Sequence, residues 1–310
     1  ISNLINKYHI NFMCCVPSRF RNYLNVDEFR KGIRHLKYIL FGGEKIDIST
    51  LKILKNETNI KIYNVYGLTE TTVLCSIKYV DYSNAELNSN NENLKSIGKS
   101  LCNCKVYILD KYLKPVPIGV EGEIYIGGAG VGKGYLNRNE LTHQKFMDSS
   151  SLNINNSHYQ KIYSTGDLGK WNENGEIIYV GRRDFQVKIN GQRIELSEIE
   201  NTIKELGYIK DSVVIDMVNN NTGSKNLVCY FISEKDIKVE RRDIKEFLNT
   251  KLPKSFIPSY YIPIKEIPIN ASGKLNRNLL PEPSNSDLIK EDIVYVPPKR
   301  KQKNYLSGVC

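Results

Sequence analysis

The spacing of apolar residues changes period once along this chain, and that change limits the folds open to it. Up to about residue 75, short apolar runs alternate with polar stretches of helical period. INFMCCV (10–16), KYILF (37–41) and KIYNVYG (61–67) read as buried strands, with STLKILKNETN (49–59) as a helix between the last two. Strands alternating with helices predict a parallel sheet with crossover connections. From about residue 97 the period becomes two. CKVYILD (104–110), EGEIYIGG (121–128), KIYSTGDLGKW (161–171) and GEIIYVGR (175–182) are short strands separated by turn residues. NENG (172–175) predicts a hairpin turn and DSSSLNINNSH (148–158) a surface loop. The expectation is an α/β domain carrying an antiparallel β-subdomain.

A separate pattern follows Gly181. FQVKI and QRIEL flank Asn190-Gly191, a strong short-range hairpin signal. Ser197-x-x-Glu200 predicts a capping box, in which Ser and Glu side chains each satisfy a free N–H of the first helical turn. Ile199, Ile203 and Leu206 fall on one helix face, and Gly207 is placed to end it. DSVVIDMV (211–218) and NLVCYFIS (226–233) read as strands, and Ile244, Phe247, Leu248 and Leu252 as the apolar face of a second helix. About three strands and two helices make a small α+β unit with its own core. The expected domains are 1–183 and 184–283, with a linker over 284–310.

Composition narrows the function classes. Among 310 residues, 44 are basic and 34 acidic, a net charge of +10. The basic residues are scattered apart from KRKQK (299–303) and form no cluster interleaved with aromatics, so a nucleic-acid partner is not expected. Charges interrupt every apolar run well before the ~18 residues of a membrane span, so no membrane association is expected. Seven cysteines form an odd count. Cys14-Cys15 and Cys102-x-Cys104 lack both zinc-site spacing and histidine partners, which points to reduced thiols and a cytoplasmic location.

Several motifs carry chemistry, each with a plainer alternative. GGAGVGKG (127–134) imitates a phosphate loop, but Gly134 stands where a magnesium-holding Ser or Thr belongs; it reads as a glycine-rich turn. NVYGLTETT (64–72) ends a strand in a turn rich in hydroxyls, with one carboxylate. Hydroxyls bind phosphate oxygens and a neighbouring carboxylate holds magnesium, while Tyr66 offers a face to a base. A polar helix cap accounts for Thr69 and Glu70 equally well. In STGD (164–167), Asp167 serves either ribose hydroxyls or its own turn. SGK (272–274) puts Lys274 on a glycine-hinged loop, where a solvated surface role is the alternative. Ligands of α/β sheets bind beyond the carboxyl ends of strands, so FGGE (41–44) and YGLTETT (66–72) mark the place to look.

Order and spacing join these pieces. FGGE, NVYGLTETT, GEIYIGGAGVGKGYLNRNELTHQKF (122–146), YSTGDLGKW (163–171), GRRDFQVKINGQRIELSEIE (181–200), LPKSFIPSYY (252–261) and NASGKLNR (270–277) together resemble the adenylate-forming superfamily. The resemblance is strongest to the C-terminal portion of the amino-acid adenylation domains of nonribosomal peptide synthetases. It implies ATP-dependent activation of a carboxylic acid, here an amino acid, as an acyl-adenylate, with transfer to a phosphopantetheine thiol on a carrier domain. ATP and Mg2+ are the implied cofactors. By the same resemblance Gly42, Gly43, Glu44, Asn64 and Tyr66 surround adenine, Thr69 binds phosphate and Glu70 magnesium. Asp167 and Arg182 hold the ribose, and Lys274 bridges substrate carboxylate and α-phosphate. Asp184 matches the hinge of a mobile C-terminal domain, Gly191 faces the pantetheine channel, and Cys15, Leu40, Gly42, Val65, Val73 and Leu74 line a largely apolar substrate pocket. Leu68 and Asn139 replace customary prolines, and Asn276 a customary aspartate. Leu68 leaves an acyl-CoA or aryl-acid ligase, with CoA as acceptor, as an alternative. In the family a first half with the main phosphate loop precedes the matched segments. These residues alone are therefore expected to be an incomplete, inactive fragment, and a non-catalytic remnant of the fold is a further alternative.

Overall fold

A computed structural model describes residues 1–82, 87, 91–152, 161–183, 186–189, 191–218, 225–234, 237, 239–269, 275–284 and 287. Contacts divide it into two compact units, one of Ile1–Leu196 with Asn220–Lys225, the other of Ser197–Asn219 and Asn226–Cys310.

The first unit opens with α1 (Ser2–Tyr8), β1 (Phe12–Cys15), α2 (Pro17–Leu24), α3 (Asp27–Gly32), β2 (Tyr38–Gly42), α4 (Ile48–Glu57) and β3 (Lys61–Tyr66). The three strands pair in parallel, as the alternating pattern predicts. α4 starts where it does because the Asp47 carboxylate accepts the Thr50 N–H at 2.8 Å, satisfying a donor that the helix cannot. Its Leu51 and Leu54 meet Phe20, Phe29, Ile39, Phe41 and Ile62 in one core on the helix-covered face of the sheet. Each such side chain contributes about 1.5–3 kcal/mol by leaving water.

The antiparallel strands continue this sheet. β4 (Ser76–Val80) runs antiparallel to β3, and β5 (Ser96–Ser100) to β4. β6 (Cys104–Leu109), β7 (Gly122–Gly128), β8 (Phe146–Asp148), β9 (Lys161–Trp171) and β10 (Ile177–Arg182) follow, with α5 (Asn139–Lys145) between β7 and β8. The order is β1-β2-β3-β4-β5-β10-β9-β7-β6, with β8 on β9. NENG forms the expected turn between β9 and β10: Gly175 N–H donates to the Asn172 carbonyl at 3.0 Å. The expected loop over 148–158 starts in β8 and a 3₁₀ turn (Ser149–Leu152), and its remainder lies outside the described residues. β11 (Gln186–Ile189) and β12 (Gln192–Glu195) form the hairpin predicted around Asn190-Gly191; Gly191 has φ 77°, and Asn190 lies outside the described residues.

The second unit holds α6 (Leu196–Lys204), a three-stranded sheet β13-β14-β15 (Ile209–Val218, Lys225–Ser233, Tyr260–Pro263) and α7 (Arg241–Lys251). Ile199 and Ile203 of α6 and Ile244 and Leu248 of α7 are fully buried. The capping box is not formed. The helix begins one residue before Ser197, and the Glu200 carboxylate instead accepts the Val214 N–H of β13 at 2.8 Å. The helix also ends at Lys204, before Gly207.

Candidate nucleotide site

The turn after β3 is closed by its own backbone. Cys75 N–H donates to the Tyr66 carbonyl at 2.8 Å, and Val73 N–H to the Leu68 carbonyl at 3.0 Å. A Cβ on Gly67 would stand 2.0 Å from the Val73 carbonyl oxygen, so only glycine fits there. Thr72 and Val73 take φ of 59° and 72°, a strained choice for β-branched residues. The glycine-rich loop after β7 braces this turn: Gly132 N–H donates to the Glu70 carbonyl at 2.8 Å, and Thr72 Oγ1 to the Gly130 carbonyl at 2.7 Å. No helix starts at Lys133, consistent with a brace rather than a phosphate loop.

Two carboxylates flank the turn. Asp167, on β9, has no exposed surface. Its Oδ2 accepts the Tyr66 hydroxyl at 2.5 Å; Oδ1 accepts Arg182 Nη1 at 2.8 Å and, more weakly, the Tyr179 hydroxyl at 3.4 Å. A buried charge needs such a partner. Burial, followed by the adjacent Asp167 charge, pushes the Tyr66 phenol well above its ordinary pKa, which keeps it a donor. Glu70, in the turn itself, is held through Oε1 by the hydroxyls of Tyr135 (2.6 Å) and Tyr163 (3.0 Å). Arg193 Nη1 lies 2.8 Å from Oε1 and 3.1 Å from Oε2. Burial alone would raise the Glu70 pKa, but the Tyr135 hydrogen bond and the Arg193 charge outweigh it, and the net shift is downward. Glu44 takes the Gly191 N–H on Oε1 at 2.7 Å and the Ser18 N–H on Oε2 at 3.3 Å.

The structure therefore gathers Glu44, Tyr66, Glu70, Asp167, Arg182 and Gly191 in one unit, at the carboxyl ends of β2 and β3 and beside them. Asn64 is buried and donates to the Ser96 carbonyl at 2.9 Å. Thr69 is exposed at the start of the turn. Gly42 pairs with Val65, and Leu40 lies on the same sheet face two residues earlier. Cys15 pairs with Phe41 and so falls on the opposite, helix-covered face, away from Leu40 and Gly42; burial lifts its thiol pKa to about 12. Val73 is exposed and Leu74 half-buried. Asp184 and Lys274 lie outside the described residues.

Sequence reasoning missed Tyr135, Tyr163, Lys188 and Arg193. One signal was present. The Asn-Gly turn sets a register that pairs Lys188 directly with Arg193, and two cations opposed across a hairpin call for an anionic neighbour. Lys188 Nζ sits 5.9 Å from the Tyr66 ring centroid, and burial, partly offset by Asp167, lowers its pKa.

Magnesium needs few protein carboxylates, because it keeps waters and phosphate oxygens as ligands. Glu70 fits that requirement: it is ionised, oriented by two neutral hydroxyls through Oε1, and faced at Oε2 by Arg193. Among the described residues no group of three or more His, Cys, Asp or Glu forms a metal cage.

Comparison with known proteins gives the site a family. The chain matches the AMP-binding enzyme family over residues 1–136. It is 37% identical over 303 residues to Gramicidin S synthase 2 of Aneurinibacillus migulanus, covering 97% of this chain and 6% of the synthase. It is 36% identical over 288 residues to Tyrocidine synthase 3 of Brevibacillus parabrevis, covering 92% of this chain and 4% of that protein. This chain thus spans a small fraction of the length of either relative. In fold, it superimposes with a TM-score of 0.73 on a solved NRPS protein containing adenylation and PCP domains, at 24% identity, covering 89% of this chain and 45% of that one. Motif order, sheet architecture and these likenesses place the chain in the AMP-binding, adenylate-forming enzyme family, with the fold of a nonribosomal peptide synthetase adenylation domain.

Proposed function

We propose that this chain carries the adenylate-handling part of an ATP-dependent activity that converts an amino acid to its acyl-adenylate and passes the acyl group to the phosphopantetheine thiol of a carrier domain. The observation that carries the reading is the buried Asp167, neutralised by Arg182 and capped by Tyr66, one strand-end turn away from an ionised Glu70. In this reading the ribose hydroxyls replace phenol hydroxyls on Asp167, while Arg182 stays to balance the charge. Asn64, Tyr66 and the backbone of Gly42, Gly43 and Glu44 bound adenine, and Thr69 donates to phosphate. Glu70 holds the magnesium ion, which when bound offsets the charge of the polyphosphate. Lys274 supplies an ammonium where negative charge grows in the in-line displacement. Asp184 is the hinge, and Gly191 faces the pantetheine channel. With Cys15 on the helix-covered face, Leu40, Gly42, Val65, Val73 and Leu74 are the pocket candidates, and their lining favours a neutral or apolar acid.

Calorimetry with AMP tests the site, and substrate-dependent ATP–pyrophosphate exchange tests the activity. Asp167→Asn should weaken AMP binding by about tenfold or more, since it removes a charge-assisted pair. In an intact enzyme that also carries the first half of the large domain, Lys274→Ala should spare AMP binding and lower exchange by orders of magnitude. AMP affinity indifferent to Asp167 would overturn the ribose assignment. In that intact enzyme, binding without exchange for any acid tested would favour a non-catalytic remnant, and efficient acyl transfer to free CoA an acyl-CoA or aryl-acid ligase; these residues alone should show no exchange.

A further inference from the structure

β9 leaves its register with β7 just where it carries Asp167. Gly122 and Glu123 face Gly169 and Leu168, but Tyr125 faces Ser164, so Thr165, Gly166 and Asp167 together oppose Ile124 alone. A bulge of this kind re-aims the side chains it carries. Gly166, at φ 74°, finds its partners off the β7 ladder. Its carbonyl accepts the Arg183 N–H at 2.8 Å, and its N–H donates to Glu123 Oε1 at 3.1 Å. The same carboxylate oxygen accepts the Ser164 hydroxyl at 2.5 Å. Thr165 closes the bulge from within: its hydroxyl donates to the Ile124 carbonyl at 2.6 Å and accepts the Asp167 N–H at 2.9 Å. Glu123 is 7% exposed, and its Oε2 meets Arg183 Nη1 at 3.1 Å. A buried carboxylate that faces a guanidinium makes short, directed bonds to the donors around it, and here both remaining donors belong to the bulge.

We propose that Glu123 is a positioning residue for ribose recognition: it pins the β9 bulge through Ser164 and Gly166 and so fixes where the Asp167 carboxylate points. The inference rests on the reading of Asp167 as the ribose-binding carboxylate. Tyr66 and Arg182 hold that carboxylate by its oxygens, whereas the bulge sets the backbone on which it stands. Asp167 follows Gly166 directly, so a Gly166 N–H that loses its anchor moves Asp167 with it. Two ribose hydroxyls meet one carboxylate only if both oxygens lie within hydrogen-bond reach, and hydrogen bonds weaken steeply with misalignment.

The test uses the whole chain and calorimetry with AMP and with 2′,3′-dideoxy-AMP, which lacks both ribose hydroxyls. The wild type should prefer AMP by about tenfold or more, and Asp167→Asn should lose that preference. Glu123→Ala should lower AMP affinity by about tenfold, leave dideoxy-AMP affinity unchanged and add nothing in the Asp167→Asn background. Glu123→Gln, which keeps an acceptor for Ser164 and Gly166, should restore most of the preference. Should Glu123→Ala fail to fold, Ser164→Ala removes one of the two anchors and should give a smaller loss with the same dependence on the ribose hydroxyls. If these variants weaken both nucleotides equally, or neither, while Asp167→Asn still loses the preference, the positioning role is overturned and the ribose assignment stands. A wild type that binds the two nucleotides equally, or binds no AMP, would overturn both.

Discussion

At Tyr66 a single hydroxyl separates two accounts of the site. A tyrosine at a strand end reads in sequence as a surface for a base to stack on, and for that role phenylalanine serves as well. In the folded chain the residue is 6% exposed and its hydroxyl is the donor to Oδ2 of a fully buried Asp167. Tyr66→Phe leaves that oxygen without its partner in a place water does not reach. The expected cost is about 1–3 kcal/mol in urea unfolding, the penalty of an unsatisfied buried acceptor. A neutral substitution would show that Arg182 alone satisfies the carboxylate. The same contrast explains what was legible residue by residue. Asp167, Glu70 and Tyr66 stand in short motifs whose residue types announce polar chemistry. Their partners Arg182, Arg193, Tyr135 and Tyr163 lie 15 to 123 positions away along the chain. No local pattern encodes pairings at the longer of those separations. Only the Lys188–Arg193 register, fixed by an Asn-Gly turn, carried a local hint.

Among the elements, those with clean periodicity were found nearly to the residue. β9 spans Lys161–Trp171 as read from its alternation, and β6, β7, β13 and β14 differ by one or two positions. β4 and β5 were not anticipated. SIKYV is short, and SIGKS contains glycine, lysine and two serines, residues that enter a strand because flanking strands pair with it rather than by their own preference. These two are the elements that join the parallel and antiparallel parts, so without them the sheet reads as two. The capping box failed for a similar reason: tertiary context outbid a local motif when Val214 N–H offered Glu200 a partner on β13. That choice has a measurable consequence. Burial, partly countered by the Val214 N–H, raises the Glu200 pKa above 4.5. Its folded form therefore holds a proton more tightly than the unfolded chain does. The stability tied to that proton is complete below about pH 4.5 and is lost as pH rises through the folded value. Glu200→Gln keeps an acceptor for Val214 and cannot ionise. Thermal unfolding should show it more stable than wild type at neutral pH, with the difference vanishing towards pH 4. A variant less stable at pH 7 would mean that Lys204 and Arg277, which favour the charged form, dominate instead.

For the molecule as a whole, the first unit poses an unresolved burial problem. Parallel strands are normally covered on both faces. Here α2, α3 and α4 contribute to a core on the face bearing Ile39, Phe41 and Ile62. By register the other face carries Phe12 beside Tyr38, and Leu40 beside Tyr63 and Tyr79. Phe12 is 50% exposed, Tyr38 40% and Tyr79 48%, and Tyr63 packs on Tyr79 with ring centroids 5.5 Å apart. A contiguous aromatic surface of this kind favours association, while a net charge of +10 opposes it. Salt distinguishes the two forces. Screening shortens the reach of the repulsion from ~10 Å at 0.1 M to ~3 Å at 1 M and leaves apolar attraction in place. Sedimentation should therefore show association that strengthens from low salt to about 0.5 M. Placing charges on the face, as in a Phe12→Lys, Tyr79→Lys double variant, should abolish it with little loss of stability, because both side chains are already exposed. Any binding to nucleic acid driven by the excess positive charge would weaken over the same salt range. The sign of the salt dependence thus decides whether the +10 charge or the uncovered sheet face governs what this chain meets first. Association that weakens with salt in both wild type and variant would assign the contact to charge and leave the aromatic face inert.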